Sequence, residues 1–261
     1  MTPARMLLCV TLAALLIPVV AFGQTGVPID HYKVYNLPPS TVTSGMVVTL
    51  QDQFGTEDMT ILTLDRFANP VDKNSEGISN PVLHYSWWRL GSLATAQYPV
   101  REVVLSNQFG SGQVIKVQKP IWLLAPALKN VPPPPFSQQI PVANHYKCYE
   151  AITTPVLGKV VSLVDQFGAR QAYVDSVKCF CNPVSKYVAG AAFPMVDPTA
   201  HLTCYSIKPA QFYGIPVSIE DQFRYTQIDV LDDCLLCVPS TKDFTTPAKP
   251  STWGQLKRLY Q

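Results

Sequence analysis

Each of the four histidines in this chain, His31, His84, His145 and His201, is followed about twenty residues later by a carboxylate or its amide: Asp52, Asn107, Asp165 and Asp221. Imidazole titrates near neutrality and a carboxylate can orient it, so such a pair is the beginning of general acid–base or metal-binding chemistry. Fourfold recurrence argues against that use. Active sites are ordinarily single, no Ser or Cys nucleophile stands in a matching motif, and Asn107 cannot act as a base. The expectation is that the Asp or Asn side chain bonds backbone amides in a tight turn, and that the histidine caps a strand or fills a partly buried polar site. Neither enzymatic activity nor a cofactor or metal is expected.

Cysteine spacing carries a second kind of chemistry. Apart from Cys9, which sits in the apolar N-terminal run, all six cysteines fall in the second half of the chain. Cys148 and Cys181 are 33 residues apart, Cys204 and Cys237 are also 33 apart, and each first member lies three residues after a histidine. At the corresponding places of the first half stand Val34 with Ala68, and Trp87 with Leu124. Both partners are replaced together, as a covalent bond requires. Two disulfides are expected, Cys148–Cys181 and Cys204–Cys237, each stabilising by roughly 3 to 4 kcal/mol through loop closure. Cys179 and Cys234 do not align with one another; a third disulfide between them is one reading. A zinc site built from Cys179-Phe-Cys181 and Cys234-Leu-Leu-Cys237 is the rival, disfavoured because it breaks the equal pairing and needs reduced thiols.

The chain positions these residues by repetition. Val47 to Gly55, Val103 to Gly110, Val160 to Gly168 and Pro216 to Arg224 share one pattern, ending in Asp-Gln-Phe or Asn-Gln-Phe at Phe54, Phe109, Phe167 and Phe223. Alternate apolar residues within it (Val48, Leu50, Phe54 and their equivalents) have the period of a half-buried strand. Met59 and Ile61, Ile115 and Val117, Ala172 and Val174, and Ile228 and Val230 continue the alternation after the turn, predicting a hairpin. The histidine segment upstream is a third strand. This makes an all-β chain of four repeats of about three strands each. With Val131-Pro-Pro-Pro-Pro-Phe136 at its centre, the reading is two small sandwich- or barrel-like domains, 25–130 without cysteines and 144–242 stapled by disulfides, joined by a linker at 131–143.

Residues 1–23 have one Arg, an apolar run and a small-residue end, the composition of a secretory signal peptide. A secreted or periplasmic chain, soluble and without a membrane span once the peptide is removed, is expected. The formal charge of +2 includes Arg5 and forms no basic stripe, so nucleic acid is an unexpected partner. Trp87 and Trp88 offer a candidate ligand face for a glycan, although their repeat positions hold Val or Cys and Tyr elsewhere, which favours core packing. The tail at 243–261 belongs to no repeat; Trp253, Leu256 and Leu259 would share a helical face.

His-Tyr-Lys-Cys-Tyr, Val-x-Leu-x-Asp-Gln-Phe-Gly and Cys-Asn-Pro-Val-x-Lys together resemble an uncharacterised family of secreted bacterial repeat modules, a domain of unknown function. The match is tightest at His145 to Lys186 and looser at Phe67 to Asn74. The resemblance implies export, tandem arrangement and a β-rich module, and carries no catalytic residues with it. The functional expectation is a structural, adhesive or interaction module at or beyond the cell envelope, with self-association or a protein or glycan partner. A glycan-binding protein using surface aromatics is the alternative.

Overall fold

A computed structural model of the chain describes residues 29–39, 44–92, 96–134, 139–153, 156–210 and 214–242. The expected signal peptide (1–23) and the tail (243–261) lie outside the described residues. Strands begin at the four histidines: β1 (His31–Asn36), β4 (His84–Ser92), β7 (His145–Thr153) and β11 (His201–Ile207). The alternating segments follow as β2 (Val47–Asp52), β5 (Arg101–Asn107), β8 (Val156–Asp165) and β12 (Ile215–Asp221). Each turns at Gln-Phe into a long third strand, β3 (Gly55–Lys73), β6 (Gly110–Lys129) or β9 (Gly168–Val188). In the last repeat this path is divided into β13 (Tyr225–Val230) and β14 (Asp233–Lys242), and a short β10 (Ala191–Phe193) follows β9. The expected hairpins form with their apolar residues opposed, Val48 to Met59, Val103 to Ile115, Val161 to Ala172 and Val217 to Ile228. Gly55 and Gly168 take φ of +136° and +129° at the turn, a conformation that side chains disfavour.

Antiparallel ladders run β1–β3, β3–β4, β4–β6, β6–β7, β7–β9, β9–β11, β11–β14 and back from β14 to β1. Two strands from each repeat therefore close an eight-stranded ring, whose interior is just wide enough for side chains to fill. They fill it in layers. Val34 faces Ala68, Trp87 faces Leu124, Cys148 faces Cys181 and Cys204 faces Cys237, all within one buried cluster. The layer toward the histidines holds Tyr32, Tyr85, Tyr146 and Leu202, with the tyrosine rings edge-on at 5.0 and 5.7 Å.

The reading of two domains is corrected by these ladders. β6 pairs with β7 across the proline run and β1 pairs with β14, so all four repeats share one ring. A pair of repeats would supply four barrel strands, too few to enclose a core; four repeats supply eight. At the start of the expected linker, Val131 is buried and its carbonyl accepts a hydrogen bond from Ser218 Oγ at 2.9 Å.

The four hairpins fold over the outer wall and bury it in two further clusters, one around Tyr35, Phe67 and Trp88, the other around Tyr149, Phe180 and Tyr205. Each hairpin docks on the repeat two places away: β2 pairs with β9, β8 with β3, β5 with β14 and β12 with β6. Among the described residues no helix is long and apolar enough to cross a membrane.

Candidate functional site

The recurrent Asp or Asn divides its two side-chain atoms between two tasks. One oxygen accepts the backbone amide two residues on: Phe54 N to Asp52 at 2.9 Å, Phe109 N to Asn107 at 2.9 Å, Phe167 N to Asp165 at 3.0 Å and Phe223 N to Asp221 at 2.8 Å. That is the turn bond expected from sequence. The other atom reaches into the repeat two places away. Asp52 accepts from Tyr149 Oη at 2.8 Å, Asp165 from Tyr35 Oη at 2.6 Å and Asp221 from Trp88 Nε1 at 2.7 Å, while Asn107 donates to Tyr205 Oη at 2.9 Å. The following phenylalanine packs edge-on against the same aromatic at 4.9 to 5.4 Å. The motif is a reciprocal clasp between opposite repeats, and the histidine takes no part in it.

Two of the histidines instead pair with glutamines of the same motif: Gln108 bonds His31 and Gln222 bonds His145. His84 stacks on Phe67 at 5.5 Å and His201 on Phe180 at 5.4 Å. Sequence reasoning missed the lysines. Lys33, Lys73, Lys147 and Lys186 are 2% exposed or less. Lys33 Nζ lies 3.1 Å from Asp165 and 4.0 Å from Asp233, Lys147 pairs with Glu57 and Lys73 with Glu76. Lys186 bonds Gln222 and sits 4.1 Å from the Phe193 ring. For two of them a signal was present in the repeats: Lys73, Lys129, Lys186 and Lys242 recur at or near the end of the last long strand of each copy, buried in the first and third and half-buried in the others.

Both expected disulfides are present, each joining residues directly opposite in a ladder. Cys179 and Cys234 are free thiols, so the third disulfide does not form between them. Burial pushes each thiol up to about 12, against a smaller pull from Arg66. Trp87 and Trp88 are both 0% exposed, so the core packing favoured by their repeat positions is what forms, and the candidate ligand face is corrected. Trp87 fills the ring and Trp88 lies beneath the Phe223 turn, because each occupies a repeat position whose side chain points into a core.

A pocket of about 420 Å³ opens where the loop before β7 meets the loop after β9. Ile140, Val142, Phe193, Met195 and Val196 make its apolar lining, and His145 and Gln222 contribute the polar groups. Val142 is 83% exposed and Val196 51% at the rim of the pocket. Among the described residues the added strand β10 follows the third repeat alone, so the pocket breaks the fourfold pattern.

A family profile described as a repeat of unknown function, DUF7450, matches residues 84–239. The chain belongs to the DUF7450 repeat family. No curated protein and no solved structure matches it. The DUF7450 match begins at the first residue of β4 and takes in the second to fourth repeats. The first repeat of this DUF7450 chain is nonetheless their structural equivalent, with the same ladder pair at Val34 and Ala68 and the same clasp at Asp52.

Burial gives the DUF7450 ring a pH signature. It lowers His84 and His145 to about 3 and His201 to about 4. A histidine whose pKa falls on folding takes up its proton in the unfolded chain first, so its stabilisation is intact above about 6.5 and is lost as pH falls toward the folded value. Lys186, held down to about 7 by burial, extends the trend upward, because an unfolded lysine keeps its proton to about 10.4. Thermal unfolding midpoints are expected to rise from pH 4 to pH 9, with each histidine contributing about 1.4 kcal/mol per pH unit within its window. A midpoint as high at pH 4 as at pH 8 contradicts this, and His145→Gln should flatten the acid side.

Proposed function

We propose that this chain is an exported, non-enzymatic β-repeat protein that acts as an interaction module. The clasp supports this reading most directly: the polar residues that recur in every repeat are engaged in holding opposite repeats together. Residues committed to closing a ring are poorly placed for turnover. Two disulfides agree with folding in an oxidising compartment. A rigid scaffold interacts through what departs from its symmetry, and that is the apolar pocket beside β10. Burial of Trp87 and Trp88 removes the residues on which the glycan alternative was built.

A photoreactive residue at position 142 of the full-length protein, expressed in its native host, tests the surface. The expected result is a discrete cross-linked product that Val196→Asp abolishes. That exposed substitution should change stability by about 0.5 kcal/mol or less. Light scattering of the purified chain then separates self-association from a different partner. A product indifferent to Val196→Asp, or none, removes the pocket as the contact. Recovery of the chain from the cytoplasm with every cysteine reduced removes export.

A further inference from the structure

Cys179 lies beside a disulfide that it does not join. The sulfurs of Cys148, Cys179 and Cys181 are all buried and all within 4.8 Å of one another. Among the described residues no other group of metal-ligating side chains is so gathered. Strand geometry explains the grouping. Cys179 and Cys181 are two residues apart on β9, hence on the same face, and Cys148 is the direct ladder partner of Cys181 on β7. Cys179 is also the ladder partner of Cys204 on β11, yet among the described residues no third sulfur gathers within 4.8 Å of both members of the Cys204–Cys237 bond.

We propose that opening the Cys148–Cys181 disulfide converts this cluster into a three-thiolate site for a soft, zinc-class cation, so that metal binding and the disulfide are alternative states of one site. The step balances simply. A dithiol reductant gives two electrons and two protons to the Cys148–Cys181 bond and is itself oxidised to a disulfide. Metal binding then releases the protons of Cys148, Cys179 and Cys181. Three thiolates at about 2.3 Å from a zinc-class ion stand about 4 Å apart, so the Cys148 and Cys181 sulfurs, about 2 Å apart while bonded, must separate once reduced, whereas Cys179 already lies within 4.8 Å of both. Soft thiolates select zinc, cadmium or cuprous ions over magnesium or calcium.

Charge gives an independent reason. Three thiolates around a divalent ion leave one negative charge in a buried site, which is costly unless neutralised. Arg66 supplies the compensating charge: its guanidinium stacks 4.3 Å from the Trp122 ring, its Nη1 is buried with no hydrogen-bond partner, and its field acts on Cys179 and Cys234 alike. Arg66 and Cys179 thus become complementary only in the reduced, metal-bound state.

The test refolds the fully reduced chain with and without Cd²⁺, reading stoichiometry by equilibrium dialysis, thiolate-to-cadmium absorption, and alkylation mapped cysteine by cysteine. One Cd²⁺ per reduced chain is expected, with Cys148, Cys179 and Cys181 shielded while Cys204 and Cys237 are modified, and none for the oxidised protein. Cys179→Ser should weaken binding by at least the 10- to 100-fold that losing an outer-shell partner costs, and Arg66→Leu by about tenfold. Shielding spread evenly over six cysteines, a Cys179→Ser chain binding as tightly as the parent, or a reduced chain that neither folds nor binds stoichiometrically with Cd²⁺ would each overturn the proposal.

Discussion

Asp165→Ala is expected to destabilise the folded chain by about 3 to 5 kcal/mol, the usual consequence of removing one partner of a buried ion pair. Asp165 receives Tyr35 Oη at 2.6 Å, Asn69 Nδ2 at 3.4 Å and the Phe167 amide at 3.0 Å, and faces the Lys33 ammonium at 3.1 Å. Lys33 is 1% exposed and keeps only the more distant Asp233, which Arg170 already engages through both oxygens. Alanine therefore strands an ammonium, a phenol and a turn amide in one place. The repeats themselves suggest the rescue. Where the clasp carries Asn107, the strand it meets has Thr203 in the position of Lys33. Asp165→Asn should keep the turn bond but leave Lys33 unneutralised, and adding Lys33→Thr should recover much of the loss. Urea unfolding of the parent, Asp165→Ala, Asp165→Asn, Lys33→Thr and the Asp165→Asn/Lys33→Thr double variant measures the cost and the coupling. An Asp165→Ala cost below about 1 kcal/mol, or strict additivity of Asp165→Asn and Lys33→Thr, would show that the clasp is ornamental.

The second large effect is expected from the cross-strand bonds. Cys148→Val with Cys181→Ala, the side chains the first repeat carries at Val34 and Ala68, should cost about 4 kcal/mol through the entropy regained by a 33-residue loop. The same exchange at Cys204 and Cys237 should cost a similar amount, since the separation is again 33. Packing should change little, because valine and alanine already face one another in the same layer of the ring. Removing both bonds would then consume much of the 5 to 15 kcal/mol available to an ordinary domain. Denaturant midpoints of the two double variants and the quadruple variant decide the matter; midpoints within error of the parent would mean that the ring is held by its ladders alone.

Several of these features were legible in the residues. Period-two alternation identified the hairpins, and equal cysteine spacing identified both disulfides, because each reports a local or pairwise relation that a repeat copies faithfully. What repetition does not encode is which copies close upon which. Four similar units allow two small bodies or one ring, and only the ladders from β6 to β7 and from β14 to β1 distinguish them. Buried lysines were missed for a related reason: Lys33 and Lys147 read as solvent-facing alternates until hairpins from other repeats cover them with Asp165 and Glu57. Repeat alignment favoured core packing for Trp87 and Trp88, and adjacent residues of one strand can both be buried here because both faces of the wall are core.

Ring closure also constrains how the polypeptide reaches its native state. The carbonyl of Val34 meets the thiol of Cys234, 200 residues later in the chain, and β1 lacks one of its two ladders until β14 has arrived. Contacts of such sequence separation slow the search for the native topology. During synthesis the first three repeats must wait as an unclosed sheet, with an unpaired edge of the kind that recruits foreign strands. The disulfide of the third repeat can form before that moment, since both its cysteines precede the fourth repeat. Folding should therefore be slow and late, and a nascent chain truncated before β11 should aggregate rather than rest as a smaller barrel.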